Sequence, residues 1–186
     1  MWYVVQVQAG RETVMEELIS KVASRQIEEC FYPQYETQIK LRGCWTKCVK
    51  PLFPGYLVAV TERPEELEQK LLELPEFARV LVQGGTYVPL AQEEVELIGG
   101  FTSKGKRVVP MSFGIKDGDR VVVTRGPLVG HEGMIRGINR RKSTANLEID
   151  LCGRKVAVRV GLGIVSSGNS AHVRAAVARR KAETAR

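Results

Sequence analysis

The sequence predicts an α+β chain in two parts: an antiparallel sheet with helices in split-βαβ order, then a small five-stranded β-barrel. Three observations carry this. Over the first hundred residues, β-prone runs alternate with segments whose apolar residues recur at helical spacing. Residues 115–165 instead hold short period-2 strands separated by turn residues. The charge also reverses: residues 1–103 carry 10 Lys/Arg against 15 Asp/Glu, net −5, and residues 104–186 carry 18 against 6, net +12.

Residues 2–7 (Trp-Tyr-Val-Val-Gln-Val) form the first strand. After Gly10, Val14, Leu18 and Val22, joined by Met15 and Ile19, mark a helix to about Gln26. Residues 28–41 alternate as a strand through Phe31, Tyr35, Ile39 and Leu41, and residues 43–48 form a hairpin tip. Leu52-Phe53-Pro54-Gly55-Tyr56 then turns tightly into a strand at 57–60, because Pro54 pre-sets its φ and Gly55 tolerates a positive one. Pro64 opens a short helix with Leu67, Leu71 and Leu74 inward, stopped at Pro75. Residues 78–82 make another strand closed by Gly84-Gly85, and a last helix spans 89–98, ended by Gly99-Gly100. These elements define a first domain over 1–103.

Residues 104–114 read as a basic linker. The barrel domain, 115–167, has strands at 120–124, 133–138, 145–151, 155–160 and 164–165, with turns at 125–127, 139–143, 152–154 and 161–163. Val121/Val123, Leu147/Ile149 and Val156/Val158/Val160 alternate with polar neighbours. Some 50 residues are marginal for a separate domain, so the sheet is expected to close on itself. Residues 168–186, rich in Ala and Arg, are expected to be frayed or disordered.

Composition narrows the function classes. No export signal or membrane span is read, and Cys30, Cys44, Cys48 and Cys152 read as reduced thiols, so a soluble cytoplasmic protein is expected. Cys44-x3-Cys48 lacks the paired ligands of a structural zinc site, since both histidines, His131 and His172, lie in the other half. His131 sits in a Gly130-His131-Glu132-Gly133 loop that reads as a turn, and no paired acid motif, phosphate loop or nucleophile elbow appears. No enzyme, metal or cofactor is expected. The basic half points to a polyanion partner. The Phe53/Tyr56 pair reads either as ordinary core or as a rigidly held docking surface.

The residues quoted resemble the NusG family of transcription elongation factors. Trp2-Tyr3-Val4-Val5, the Phe53-Pro54-Gly55-Tyr56 turn and Gly84-Gly85 before Pro89-Leu90 resemble its N-terminal (NGN) domain. Gly118-Asp119-Arg120-Val121, Gly126-Pro127-Leu128-Val129-Gly130, Gly133 and Gly153-Arg154 resemble its SH3-like KOW domain. The Gly-Pro-Leu loop, residues 159–165 and the basic linker look most like LoaP, a specialised antiterminator paralogue of that bacterial family.

The resemblance implies that Phe53, Pro54, Tyr56 and Val58, with Trp2 or Tyr3 in support, dock on the clamp helices of the largest RNA polymerase subunit. Docking would oppose pausing by favouring the closed, elongating state. In the family a large apolar residue before the KOW Gly-Arg pair contacts Rho or a small-subunit ribosomal protein. Cys152 stands there, which puts both contacts in doubt. The barrel carries 10 bases against 5 acids, and nascent RNA is the expected partner. Its candidate contacts are Lys104, Lys106, Arg107, Lys116, Arg125, Arg140, Arg141, Lys142, Arg154, Lys155 and Arg159. An RNA hairpin is expected over a bare strand, because the barrel has few aromatics on which bases could stack. Non-template DNA is a further candidate, and the chain reads as a monomer. The alternative is a ribosome-associated RNA-binding protein built on a KOW barrel.

Overall fold

The computed structural model describes residues 1–102, 105–117 and 120–165, the side chains of 116, 117, 120 and 165 excepted. The tail at 168–186 and the Gly118-Asp119 pair lie outside the described residues. In chain order the elements are β1 (Trp2–Val7), α1 (Glu12–Val22), β2 (Glu29–Phe31), β3 (Gln34–Leu41), β4 (Cys44–Pro51) and β5 (Tyr56–Val60). There follow α2 (Pro64–Leu72), β6 (Ala78–Val80), β7 (Val82–Gln83), β8 (Thr86–Tyr87), α3 (Gln92–Phe101) and β9 (Val108–Val109). The last five strands are β10 (Ser112–Asp117), β11 (Arg120–Arg125), β12 (Ile135–Asn139), β13 (Thr144–Leu151) and β14 (Arg154–Val165).

Two compact units share these elements. Unit one comprises Met1–Gln34, Lys50–Val108 and Asp150–Val156; unit two comprises Tyr35–Val49, Val109–Ile149 and the described residues from Ala157 onward. The fold is α+β, a sheet with helices followed by a curled five-stranded half-barrel.

Unit one is built on the sheet β2-β5-β1-β6. Antiparallel register places Val5 opposite Leu57 and Val80, so Tyr3, Val5, Val7, Leu57, Ala59, Ala78 and Val80 share one face. Met15, Ile19 and Ala23 of the first helical stretch and Leu67 and Leu71 of α2 close over that face as a buried core. Leu74 packs against it partly buried. Of the expected α1 stripe, Met15 and Ile19 are buried and Leu18 packs against the core, while Val14 and Val22 are each 38% exposed and Glu12 is buried. The buried Glu12 carboxylate accepts the N–H groups of Gly10 and Gly55.

Other boundaries also move. The strand expected over 28–41 breaks between β2 and β3 at Tyr32-Pro33, where the carbonyl of Pro33 accepts the Leu52 N–H at 2.8 Å. The expected tip at 43–48 shrinks to Arg42-Gly43, both at positive φ (48° and 87°), and residues from Cys44 onward are strand. That is the backbone of a two-residue hairpin, which needs no longer loop. Strand β6 ends at Val80, and β7 and β8 form their own hairpin across Gly84-Gly85. Helix α3 starts later than expected and runs through Gly99-Gly100 to Phe101. Its end is closed by Thr102, whose hydroxyl donates to the Ile98 carbonyl at 2.7 Å.

In unit two the strands run β11-β10-β14-β13-β12. Alternation buries Ala145, Leu147 and Ile149 on β13 and Val158, Val160 and Leu162 on β14, with Val123 and Leu128. Two expectations fail here. Residues 108–109 and 112–117, read as linker and barrel entrance, form β9 and β10, and β10 pairs antiparallel with β11 and parallel with β14. The turn expected at 161–163 is absent, and β14 is one strand of 12 residues. Its glycines mark close approach: a Cβ at Gly163 would lie 2.9 Å from the Phe113 ring, and one at Gly161 would overlap the Glu36 carbonyl oxygen of β3.

Gly161→Ala is therefore expected to destabilise unit two by about 1–3 kcal/mol, as overpacked sites do. Urea unfolding in a Trp2→Phe background, followed through Trp45 of unit two, measures it; an unchanged midpoint contradicts the packing described.

Candidate functional site

The turn leading into β5 is held from both sides. Glu12, only 4% exposed, accepts the Gly55 N–H at 2.8 Å and the Gly10 N–H at 3.0 Å. The Gly55 carbonyl accepts the Val7 N–H at 2.9 Å. Gly55 sits at φ 84°, where a side chain would be strained and its Cβ would stand 3.2 Å from the Val7 carbonyl oxygen. Burial works against the charged Glu12, but backbone N–H groups of Gly10, Glu12 and Gly55 outweigh it and hold the carboxyl below its ordinary pKa. Sequence reasoning did not find this residue. An acid in the first turn of a helix reads as a solvated complement to the helix dipole, and nothing local names Gly55 as its partner.

Register fixes which rings share the second face of the sheet. Tyr56 lies opposite Gln6, Val58 opposite Val4 and Phe31, and Val60 opposite Trp2. Trp2, Val4, Phe31, Tyr56, Val58 and Val60 therefore point away from α1 and α2. Tyr3 points into the helix-covered core, so of Trp2 and Tyr3 only Trp2 stands on the face of Tyr56. Tyr56 is 36% exposed and Pro54 is exposed, whereas Phe53 and Val58 are buried at 5% and 4%. A small, partly open apolar hollow is lined by Val4, Phe53, Tyr56, Val58, Ile98 and Leu151, all of unit one. At the other end of this face Trp2 meets Phe31 edge to face, with centroids 5.3 Å apart.

Arg107, expected to contact RNA, lies over Phe31 at 4.3 Å and Trp2 at 5.2 Å. Its Nε and Nη2 donate to Glu29 at 3.0 and 2.5 Å, and its side chain is 10% exposed. A fork geometry with stacking is what arginine supplies and lysine does not, and here it fastens the segment before β9 to the sheet.

Of the other basic residues, Arg140, Arg141 and Lys142 stand together, exposed, on the turn between β12 and β13. Asn139 Oδ1 accepts the Lys142 N–H at 3.0 Å. Thr37 of β3 donates to the carbonyls of Lys142 (3.0 Å) and Ser143 (3.2 Å), and Gln38 Nε2 donates to Ser143 Oγ at 3.2 Å. The turn is thus anchored from behind with its cations outward. Arg125, exposed, lies 5.0 Å over Phe113, and Arg159 is exposed on β14. Arg154 and Lys155 follow the Cys152-Gly153 turn in unit one, and Lys106 is exposed there too. Lys104 and the side chain of Lys116 lie outside the described residues.

Cys152 is 7% exposed, and its carbonyl accepts Gln83 Nε2 at 2.9 Å within unit one. Burial pushes its thiol pKa up, as it does more strongly for Cys30. Cys44 is exposed. Among the described residues no three His, Cys, Asp or Glu side chains gather as a metal site, and no helix is long and apolar enough to cross a membrane.

The chain matches two family models: "Transcription termination factor nusG" over residues 1–99, more than half its length, and "KOW motif" over residues 118–150. It is similar to the transcription termination/antitermination protein NusG of Campylobacter jejuni, 21% identical, covering 86% of this chain and 92% of that one. The NusG proteins of Pseudomonas aeruginosa (86% and 93% covered) and Deinococcus radiodurans (89% and 97%) are each 26% identical. Its fold resembles a solved structure described as "Domain interaction in Thermotoga maritima NusG", with a TM-score of 0.50 at 21% identity over 86% of this chain and 92% of that one.

Glu12→Gln is expected to lower stability at neutral pH by about 1–2 kcal/mol, the worth of a buried hydrogen bond to a charged group. Because the folded pKa of Glu12 is depressed, its contribution is complete above the ordinary carboxylate range and is lost as pH falls through the folded value. Urea midpoints of the two proteins should therefore converge under acid conditions. A gap independent of pH excludes the charged lock.

Proposed function

Because this chain belongs to the NusG family, whose members act in transcription elongation and antitermination without catalysing a reaction, we propose that it docks on RNA polymerase and holds nascent RNA at the same time. The docking surface is the face around Tyr56 and Pro54, with Phe53 and Val58 beneath them and Trp2 at the far end of the same face. Its partner is the pair of clamp helices in the largest polymerase subunit. The observation that carries this reading is a half-exposed ring on a turn pinned by a buried carboxylate, on the sheet face that α1 and α2 leave open. A rigid aromatic gives up little rotamer freedom on binding, which suits it to an interface centre. Binding that favours the closed polymerase would suppress pausing and termination as a population shift.

The second contact is an RNA hairpin, held by Arg140, Arg141 and Lys142 with Arg125 and Arg159; Lys104, Lys106, Lys116, Arg154 and Lys155 are further candidate contacts. The clustering of three outward cations on one anchored turn supports it. Within the family this points to a specialised antiterminator of the LoaP type, working in the cytoplasm. Its small, buried Cys152 offers Rho or a ribosomal protein little apolar area.

Two measurements test these contacts. Replacing Phe53 and Tyr56 together by Ala should abolish retention of RNA polymerase in a pull-down, with Tyr56→Ala alone giving most of the loss; undiminished retention refutes the docking surface. RNA affinity should fall steeply with salt, with a log–log slope reflecting roughly 3–6 phosphates. Arg140→Ala/Arg141→Ala should weaken binding by about 1–3 kcal/mol, and full affinity in that variant moves the RNA site elsewhere.

A further inference from the structure

Beyond Thr37 and Gln38, the arm formed by β3, the Arg42-Gly43 turn and β4 takes no part in the contacts above, and its charge is unlike that of the sequence around it. Residues 35–49 carry Lys40, Arg42 and Lys47 against Glu36 alone, while the rest of residues 1–103 carries 7 bases and 14 acids. Residues 40–47 are exposed without interruption. Trp45 is 50% exposed, with Leu41 at 52% and Val49 at 49%. Glu36, the one acid, accepts the Met111 N–H through Oε2 at 3.3 Å.

A two-residue turn sets the register of the arm: Lys40 lies opposite Trp45 and Gln38 opposite Lys47, so these four share a face. Gln38 is also the residue whose amide reaches Ser143 at the end of the basic turn. Gln38 and Lys40 are two residues apart, about 7 Å along the strand. All of these residues belong to unit two. An indole flanked by two lysines therefore continues the surface of Arg140–Lys142.

We propose that this arm is a second RNA contact, in which an unpaired base flanking the hairpin stacks on Trp45 while Lys40 and Lys47 meet its phosphates. The inference rests on the RNA reading above and extends it. The occupant follows from charge and shape. Two exposed lysines flanking one neutral aromatic face match a polyanion that carries its own rings, and the arm's cationic character matches the barrel rather than the acidic half it interrupts. Trp45 also supplies the stacking surface that the barrel lacks.

The test uses the full chain and two fluorescent RNA probes: a stem-loop with an unpaired adenosine flank, and the same stem-loop with a blunt end. The flanked probe should bind more tightly. Trp45→Ala should lose roughly tenfold on it and nothing on the blunt one, while Trp45→Phe retains most of the gain. In a Trp2→Phe background, Trp45 emission should be quenched by the flanked probe. Lys40→Ala/Lys47→Ala should lower the salt slope by about one to two. If Trp45→Ala binds the flanked probe like the wild type while Arg140→Ala/Arg141→Ala is weakened, the arm inference is wrong and the barrel reading stands. If the wild-type chain binds neither probe, both fall. A DNA strand of the flank sequence that displaces the flanked RNA at equal concentration overturns RNA as the partner of the arm.

Discussion

A single buried carboxylate organises the first unit. Glu12 sits at the start of α1, yet its partners are backbone N–H groups before the helix and in a turn 43 residues further on. Removing a carboxylate from water is unfavourable unless hydrogen bonds replace its hydration. Here they do. The arrangement ties the start of α1, whose Met15 and Ile19 face the sheet, to the turn in which Gly55 takes a positive φ and from which Pro54 and Tyr56 leave the surface.

With one face of the sheet sealed by α1 and α2, the other is left to smaller pieces. Ile98 and Leu151 close over Val4 and Val58 at one end, and Arg107 covers Trp2 and Phe31 at the other. Tyr56 stands between a packed floor and solvent, which is a geometry for recognition rather than for stability alone. The second unit separates the same tasks differently. Its alternating valines and leucines make the core, and its cations gather on a turn whose backbone is tied down by Thr37 and Gln38.

Much of this was legible in the residues. Period-2 alternation found β13 and most of β14, and the Pro-Gly pair found the turn into β5, because both signals are local. The failures were tertiary. Val14 and Val22 looked like part of the core stripe, but the buried side of that helical stretch is the one carrying Glu12, Met15, Ile19 and Ala23. Gly161 and Gly163 looked like a turn because glycine in a strand leaves the same trace whether the chain bends or a neighbour comes close. Arg107 looked like a phosphate contact because charge alone does not reveal a half-buried carboxylate at Glu29 and two rings beneath it. Lys40, Trp45 and Lys47 went unremarked because a hairpin tip was expected where a strand runs, and a strand is what gathers them on one side.

The interleaving of segments bears on how the gene could be divided. A cut near residue 105 follows the two family modules and looks natural on paper. It would strip the C-terminal piece of residues 35–49, whose hydroxyl and amide groups fasten the cationic turn, and the N-terminal piece of residues 150–156, which include the Gln83 acceptor. Each truncated half would lose a support, and an activity missing from such a half would report the missing brace before it reported the module.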